Sequence, residues 1–218
     1  MKKITIAILM FLGTFSFASA EVGVNVGVSG QLGGFTADAE ETMGTTDRNG
    51  QDDGIMVVGY SSIFVEKTLG DYITIGVDYV PEDLDTETVS TTKQKLEANG
   101  TFTNDIQNVK VSFQDMFTYY AALNLTENFY VKAGMVEVEL ITQETLDTGG
   151  TYGDTSLDGT MMGAGYNKDL INGIFIRAEG NYIDFDDVTL NSSGGNTRFI
   201  KATSIAGLNG KLSIGKSF

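Results

Sequence analysis

The sequence predicts an all-β chain: an eight-stranded antiparallel up-and-down barrel that crosses a membrane with its strands. Three observations carry this. The last stretch, Arg198 to Phe218, alternates between an aliphatic face and a polar or glycine face, and it does so for about twice the ~9–11 residues that a tilted transmembrane strand needs. The connections between strands alternate strictly, long then short. Aromatic residues gather beside all three short connections, where the border of a membrane would lie.

The first 20 residues read as a secretory signal peptide. Lys2 and Lys3 precede an apolar run from Ile4 to Phe17, and Ala18-Ser19-Ala20 forms a small-residue cleavage site. The run is short for a spanning helix, which needs ~20 residues. The mature chain is expected to begin near Glu21 and to form one barrel domain over 21–218. Cysteine and histidine are both absent, so an exported chain can hold no disulfide framework. Most nucleophile–base pairs and His-based metal sites are excluded as well. Losing Lys2 and Lys3 takes the formal charge from −15 to −17, which argues against nucleic acid as a partner.

The first strand spans Glu21 to about Phe35, with Val22, Val24, Val26, Val28 and Leu32 alternating with Gly23, Asn25, Gly27, Ser29 and Gln31. The valines are assigned to lipid and the small polar residues to the lumen. The second, Gly54 to Lys67, is apolar on both faces. Its even set, Met56, Val58, Tyr60 and Phe64, holds the aromatics and is placed toward lipid. The third, Tyr72 to Val80, alternates cleanly and stops at Pro81, which cannot donate to a ladder. The fourth, Gln107 to Asn124, puts Phe113, Phe117, Tyr119 and Leu123 on one face. Asp115 breaks that face, so either it turns inward at a bulge or the register shifts there. The fifth to eighth strands span Phe129–Ile141, Leu157–Asn167, Ile174 to about Asp187, and Arg198–Phe218.

The long connections are 37–53, 82–106, 142–156 and 188–197, and the short turns are 68–71, 125–128 and 168–173. Eight strands then leave both termini on the short-turn side, the asymmetry of bacterial outer-membrane barrels. A helical turn is expected over Thr92–Ala98. Connections 37–53, 82–106 and 142–156 carry Asp and Glu, while 191–197 is a Ser/Gly loop, and divalent cations are an expected partner at the acidic connections on charge density alone. The segment Asp47–Asp53 lacks the spacing of a calcium-binding EF-hand loop and its closing Glu.

Leu208, Leu212 and Ile214 share a face with the final Phe218. This stretch resembles the C-terminal signal of outer-membrane barrels, which implies recognition by the barrel-assembly machinery. Across the mature length, the chain looks like the eight-stranded OmpA/OmpX/opacity-protein superfamily. Lys216 stands where members often carry an aromatic or apolar residue. The resemblance implies residence in the outer membrane of a Gram-negative bacterium, among lipid and lipopolysaccharide, and no residue-level site.

In a barrel of eight strands side chains just fill the interior. The candidate lumen residues are Asp78, Lys110, Gln114, Lys132, Arg177, Glu179, Lys201 and Lys211, and a paired polar core is preferred to a conducting path. The expected role is structural or surface interaction, in envelope integrity or adhesion through acidic outer loops. A narrow porin-like channel for small solutes is the alternative. An enzyme is not expected, and neither is a cofactor. Glu137 and Glu139 form a same-face carboxylate pair near a loop, where such pairs are usually solvated. A soluble secreted β-protein is the competing fold and would need no detergent for extraction.

Overall fold

The computed structural model describes residues 23–43, 46–96, 100–145, 151–193 and 198–218. The signal-peptide segment and its cleavage site lie outside the described residues. The strands are β1 (Val24–Met43), β2 (Thr46–Leu69), β3 (Ile73–Val80), β4 (Leu84–Asp85), β5 (Val89–Leu96), β6 (Phe102–Asn124), β7 (Phe129–Thr145), β8 (Thr155–Asp169), β9 (Ile174–Phe185), β10 (Val188–Asn191) and β11 (Arg198–Ser217).

Eight of them form a ring in the order β1-β2-β3-β6-β7-β8-β9-β11, and β11 pairs back onto β1. Every pairing is antiparallel. The closing ladder runs from Asn25↔Ser217 to Met43↔Arg198. Over the part of the wall that all eight strands share, closure leaves no edge with unpaired backbone groups. The short β4, β5 and β10 lie off the ring and pair with β6 or β11.

All three short turns fall where the sequence places them, each for a local reason. Gly70 takes φ 65 between β2 and β3, a conformation that glycine adopts without steric cost. Thr126 Oγ1 accepts from the backbone N–H of Asn128 (3.3 Å) and of Phe129 (3.0 Å), a hydroxyl-capped turn. A 3-10 turn at Ile171–Gly173 carries Asn172 at φ 59 and Gly173 at φ 73.

The long connections depart from expectation because much of them is ladder. β1 and β2 continue pairing upward to Met43↔Thr46, and β5 pairs with β6 over Val89–Leu96. The helical turn expected over Thr92–Ala98 is strand through Leu96, and Ala98 lies outside the described residues. Val89, Thr91 and Thr92 at the start of β5 suit a strand, and pairing with β6 carries the helix-favouring Lys93–Leu96 along as strand.

The face assignment of β2 is also reversed. Tyr60 and Phe64 are buried, while Ile55, Val57 and Ile63 are exposed on the outside. The even set shares its face with Ser62 and Glu66, both about 1% exposed. A buried carboxylate must find partners, and these stand only inside the ring.

Glycine lets the large inward rings fit. At Gly134 a Cβ would sit 2.2 Å from the carbonyl oxygen of Tyr119 and 2.8 Å from Cβ of Tyr120. That neighbour is backbone and cannot swing aside. Gly134→Ala is therefore expected to cost ~1–3 kcal/mol by overpacking. Gly30 has no atom within 4 Å of such a Cβ, so Gly30→Ala should stay within ~0.5 kcal/mol. Urea unfolding of both variants in lipid vesicles checks the contrast.

Candidate functional site

The polar side chains of the chain converge inside the ring, in layers. The layer nearest the short turns centres on Glu66. Arg177 donates to it through both terminal nitrogens, Nη1 to Oε1 at 2.6 Å and Nη2 to Oε2 at 3.0 Å. Tyr120 Oη donates to Oε1 at 2.6 Å and Asn25 Nδ2 to Oε2 at 3.1 Å. The guanidinium also lies 5.0 Å from the ring centre of Phe175, 5.3 Å from Tyr130 and 5.5 Å from Phe64. A planar cation suits both this aromatic cage and the bidentate carboxylate.

The next layer holds two more pairs. Lys132 Nζ stands 2.7 Å from Glu179 Oε1. Lys211 donates to Asp78 and lies 3.9 Å from the other oxygen of Glu179. Lys132 also sits 4.8 Å from the ring centre of Tyr120, which joins the two layers. The buried charges of these layers are therefore Glu66, Asp78 and Glu179 against Lys132, Arg177 and Lys211. They sum to zero, and each has a partner, which is the condition for keeping ions out of water.

Above them lies a neutral layer of amides and hydroxyls. Asn209 donates to Tyr60 Oη (2.9 Å) and Gln31 Oε1 (3.1 Å), and accepts from Asn181 Nδ2 (2.8 Å). Gln31 Nε2 donates to Ser62 (2.8 Å). The top of the lumen is then sealed by an apolar cluster that includes Val80, Leu84, Met116, Val136, Val138, Leu157, Met161, Ile183 and Ile205. Where the ionic layer, the neutral layer and this cluster meet remains a cavity of about 20 Å³, bordered by Tyr60, Asp78, Lys132, Asn209 and Lys211 among others. That is room for about one water.

The outside of the ring shows the opposite chemistry. Along β7, Phe129, Val131 and Met135 are exposed outside, while Tyr130 and Lys132 are buried inside. Beyond Met135 the pattern inverts. Glu137 and Glu139 take the outward positions, and Val136, Val138 and Leu140 are buried inward. β9 does the same, with Ile174, Ile176 and Tyr182 outward before Asp184, and Arg177, Glu179 and Asn181 inward before Ile183. A wall that is apolar outside and ionic inside is stable only in lipid, and the inverted part above it only in water. The chain is an eight-stranded transmembrane β-barrel.

In this barrel, five of the eight candidate lumen residues meet: Asp78, Lys132, Arg177, Glu179 and Lys211. Lys110, Gln114 and Lys201 do not reach them. An extra residue in β6 shifts the register between Gln114 and Phe117, with Asp115 at φ 50. Above that bulge Phe113 packs with the inward cluster, and Lys110 and Gln114 turn to the outer side, bonded to Asp85 (2.5 Å) and Asp83 (2.9 Å). Asp115 itself stays outside and accepts from Tyr79 Oη at 2.7 Å. Ser204, at φ 53, marks an equivalent bulge in β11. Above it Lys201 is half exposed and stands 3.3 Å from Asp187. The largest omission from the expected set is Glu66, and its parity with Ser62 was the available signal. Leu208, Leu212, Ile214 and Phe218 all lie on the exposed outer face, and Lys216 Nζ sits 5.1 Å from the ring of Phe218.

Above the membrane, the chain leaving β3 folds back as a strap. Leu84 is buried in the apolar cluster. Asp85 accepts from Lys110 and from Ser112, each at 2.5 Å, and Thr86 N–H donates to Val111 O at 2.9 Å. The bonds from Lys110 and Ser112 hold the Asp85 carboxyl below the ordinary range. A depressed carboxyl stabilises docking above its unfolded pKa, ~3.9, and that contribution is lost as pH falls through the lower folded value. The strap should therefore stay docked from neutral pH to below about pH 4. Asp85→Asn should abolish that acid transition. Hydrogen exchange at the Thr86 amide reads both. Among the described residues, no three carboxylates gather in a group able to hold a metal.

Neither a protein-family model nor a curated protein matches the sequence. Solved structures align with the fold. The outer membrane protein OprG from Pseudomonas aeruginosa aligns at TM-score 0.49 and 12% identity, over 88% of this chain and 96% of its own. Ail, the attachment invasion locus protein of Yersinia pestis, aligns at 0.41 and 10%, over 88% and 99%. The outer membrane protease OmpT from Escherichia coli aligns at 0.42 and 11%, over 94% and 99%.

Proposed function

We propose that this barrel resides in the outer membrane as a closed scaffold, and that its work is done by the strands it raises above the lipid. The observation that carries this reading is the filled lumen. Among the described residues, three buried ion pairs, an amide layer and an apolar cap fill the interior around a void of about 20 Å³. The role is structural and surface-directed, in envelope integrity or adhesion. The strongly acidic outer strands would meet the outside.

Composition argues against catalysis, because the chain has neither histidine nor cysteine to serve as base or nucleophile. Planar-bilayer recording of the purified barrel tests the closed-scaffold reading. No stepwise conductance is the expected result. Steady unit steps that scale with salt would replace it with the narrow-channel reading.

A further inference from the structure

The ring has a seam on one side, above the membrane. β3 ends at Val80, and β2 pairs with it only over Ile63–Leu69. β2 nevertheless continues upward, paired to β1 as far as Thr46. Across the seam β6 also continues, but it is covered by β4 at Phe113 and Ser112 and by β5 from Val109 upward. Nothing among the described residues pairs with the seam side of β2 from Gly54 to Ser61. At the foot of the seam Ser61 N–H and Oγ both donate to Glu82 Oε1, each at 2.5 Å. Backbone groups alternate sides along a strand, so Ile55, Val57 and Gly59 turn their N–H and C=O the same way. None of the three has a seam-side backbone partner among the described residues.

The opposite side of the outer strands is stitched. Tyr152 bridges to Ser192. Ser193 N–H donates to Thr151 O at 2.8 Å, and Thr151 N–H to Ser193 Oγ at 3.1 Å. Among the described residues, that side is bridged and the β2 side is not. Ile55 and Val57 flank it at 76% and 70% exposed, an apolar margin beside an unpaired backbone row. The lips carry Glu82, Asp83, Asp85 and Glu87 against Lys110, an acidic excess.

We propose that the β2 edge at Gly54–Ser61 is a strand-addition site for an extended, cationic polypeptide. This rests on the surface-directed reading above and names its partner class. Backbone pairing with Ile55, Val57 and Gly59 supplies the register. Alternate apolar side chains of the partner cover Ile55 and Val57, and its lysines or arginines answer the acidic lips. The eight residues of edge match a partner segment of about that length.

The test uses the full barrel refolded in detergent micelles and a fluorescent nine-residue peptide of alternating Val and Thr with three lysines. Fluorescence polarisation should show saturable binding. Methylating alternate backbone nitrogens of the peptide should weaken it at least about tenfold, because charge is kept and pairing is lost. Val57→Pro removes one seam donor and no β1 bond, a change that edge strands tolerate, and should weaken binding similarly. Amide exchange at Val57 and Gly59 should slow when peptide is bound. Equal binding of the methylated peptide would reduce the site to charge attraction and overturn the proposal. So would no binding, or protection of Val57 and Gly59 without peptide in a self-associated barrel, which would make the occupant a second copy. If Val57→Pro does not fold, the methylated peptide and the exchange data still decide. The conductance result is independent of all these outcomes, so failure here leaves the closed-scaffold reading standing.

Discussion

Glu66→Ala is expected to destabilise the barrel by ~3–5 kcal/mol, the cost of leaving a buried charge without its partner. Glu66 is about 1% exposed and accepts four hydrogen bonds, two of them from Arg177. Its removal strands a guanidinium inside a cage of three aromatic rings, where water reaches it poorly. The paired replacement Glu66→Leu with Arg177→Met removes both charges and should recover most of the loss, since well-packed apolar pairs often equal or exceed buried ion pairs. Reversible urea unfolding in lipid vesicles gives both numbers. If the single and paired variants lose the same amount, the ion pair is not what holds this layer together.

The second large effect concerns the outer face. Leu212 is 70% exposed near the middle of the β11 wall, beside the buried Lys211. On a water-soluble protein, an exposed Leu→Arg change would fall within ~0.5 kcal/mol. Facing the bilayer midplane, Leu212→Arg should cost ~2–4 kcal/mol. Moving the charge toward the rim should lower the penalty. Lys216→Arg, at the short-turn end where the side chain can reach water, is therefore expected to be nearly silent. The same vesicle assay reads the difference, and a silent Leu212→Arg would mean that this face does not meet lipid.

The strand order and the short turns were legible because their signals are local. Gly70, Thr126 and Asn172-Gly173 each impose a turn through their own chemistry. The clean alternation in β1 and β3 leaves one choice of face. β2 was illegible by periodicity, since both its faces are apolar. Aromatic content pointed the wrong way, because Tyr60 and Phe64 fill the lumen, Phe64 lying over Gly27. The bulges at Asp115 and Ser204 were harder still. Each inserts one residue and reverses every side chain beyond it, and this is why Lys110, Gln114 and Lys201 fall outside the ionic core. Asp115 broke the apolar pattern at the site of the first bulge. Ser204 broke nothing, because its neighbours Ala202, Thr203 and Ala206 suit either face. The length of the outer ladders was hidden for a different reason: strands that pair in water carry charged residues and read as loops.

The central claim is a closed barrel that is apolar outside and ionic inside. Gel migration of the detergent-extracted chain, unboiled against boiled, tests it most directly. The account predicts that the chain is recovered in the outer-membrane fraction and that boiling shifts its mobility, as the sealed ring with its buried ion pairs opens only on heating. A chain recovered without detergent, with the same mobility before and after boiling, would contradict it.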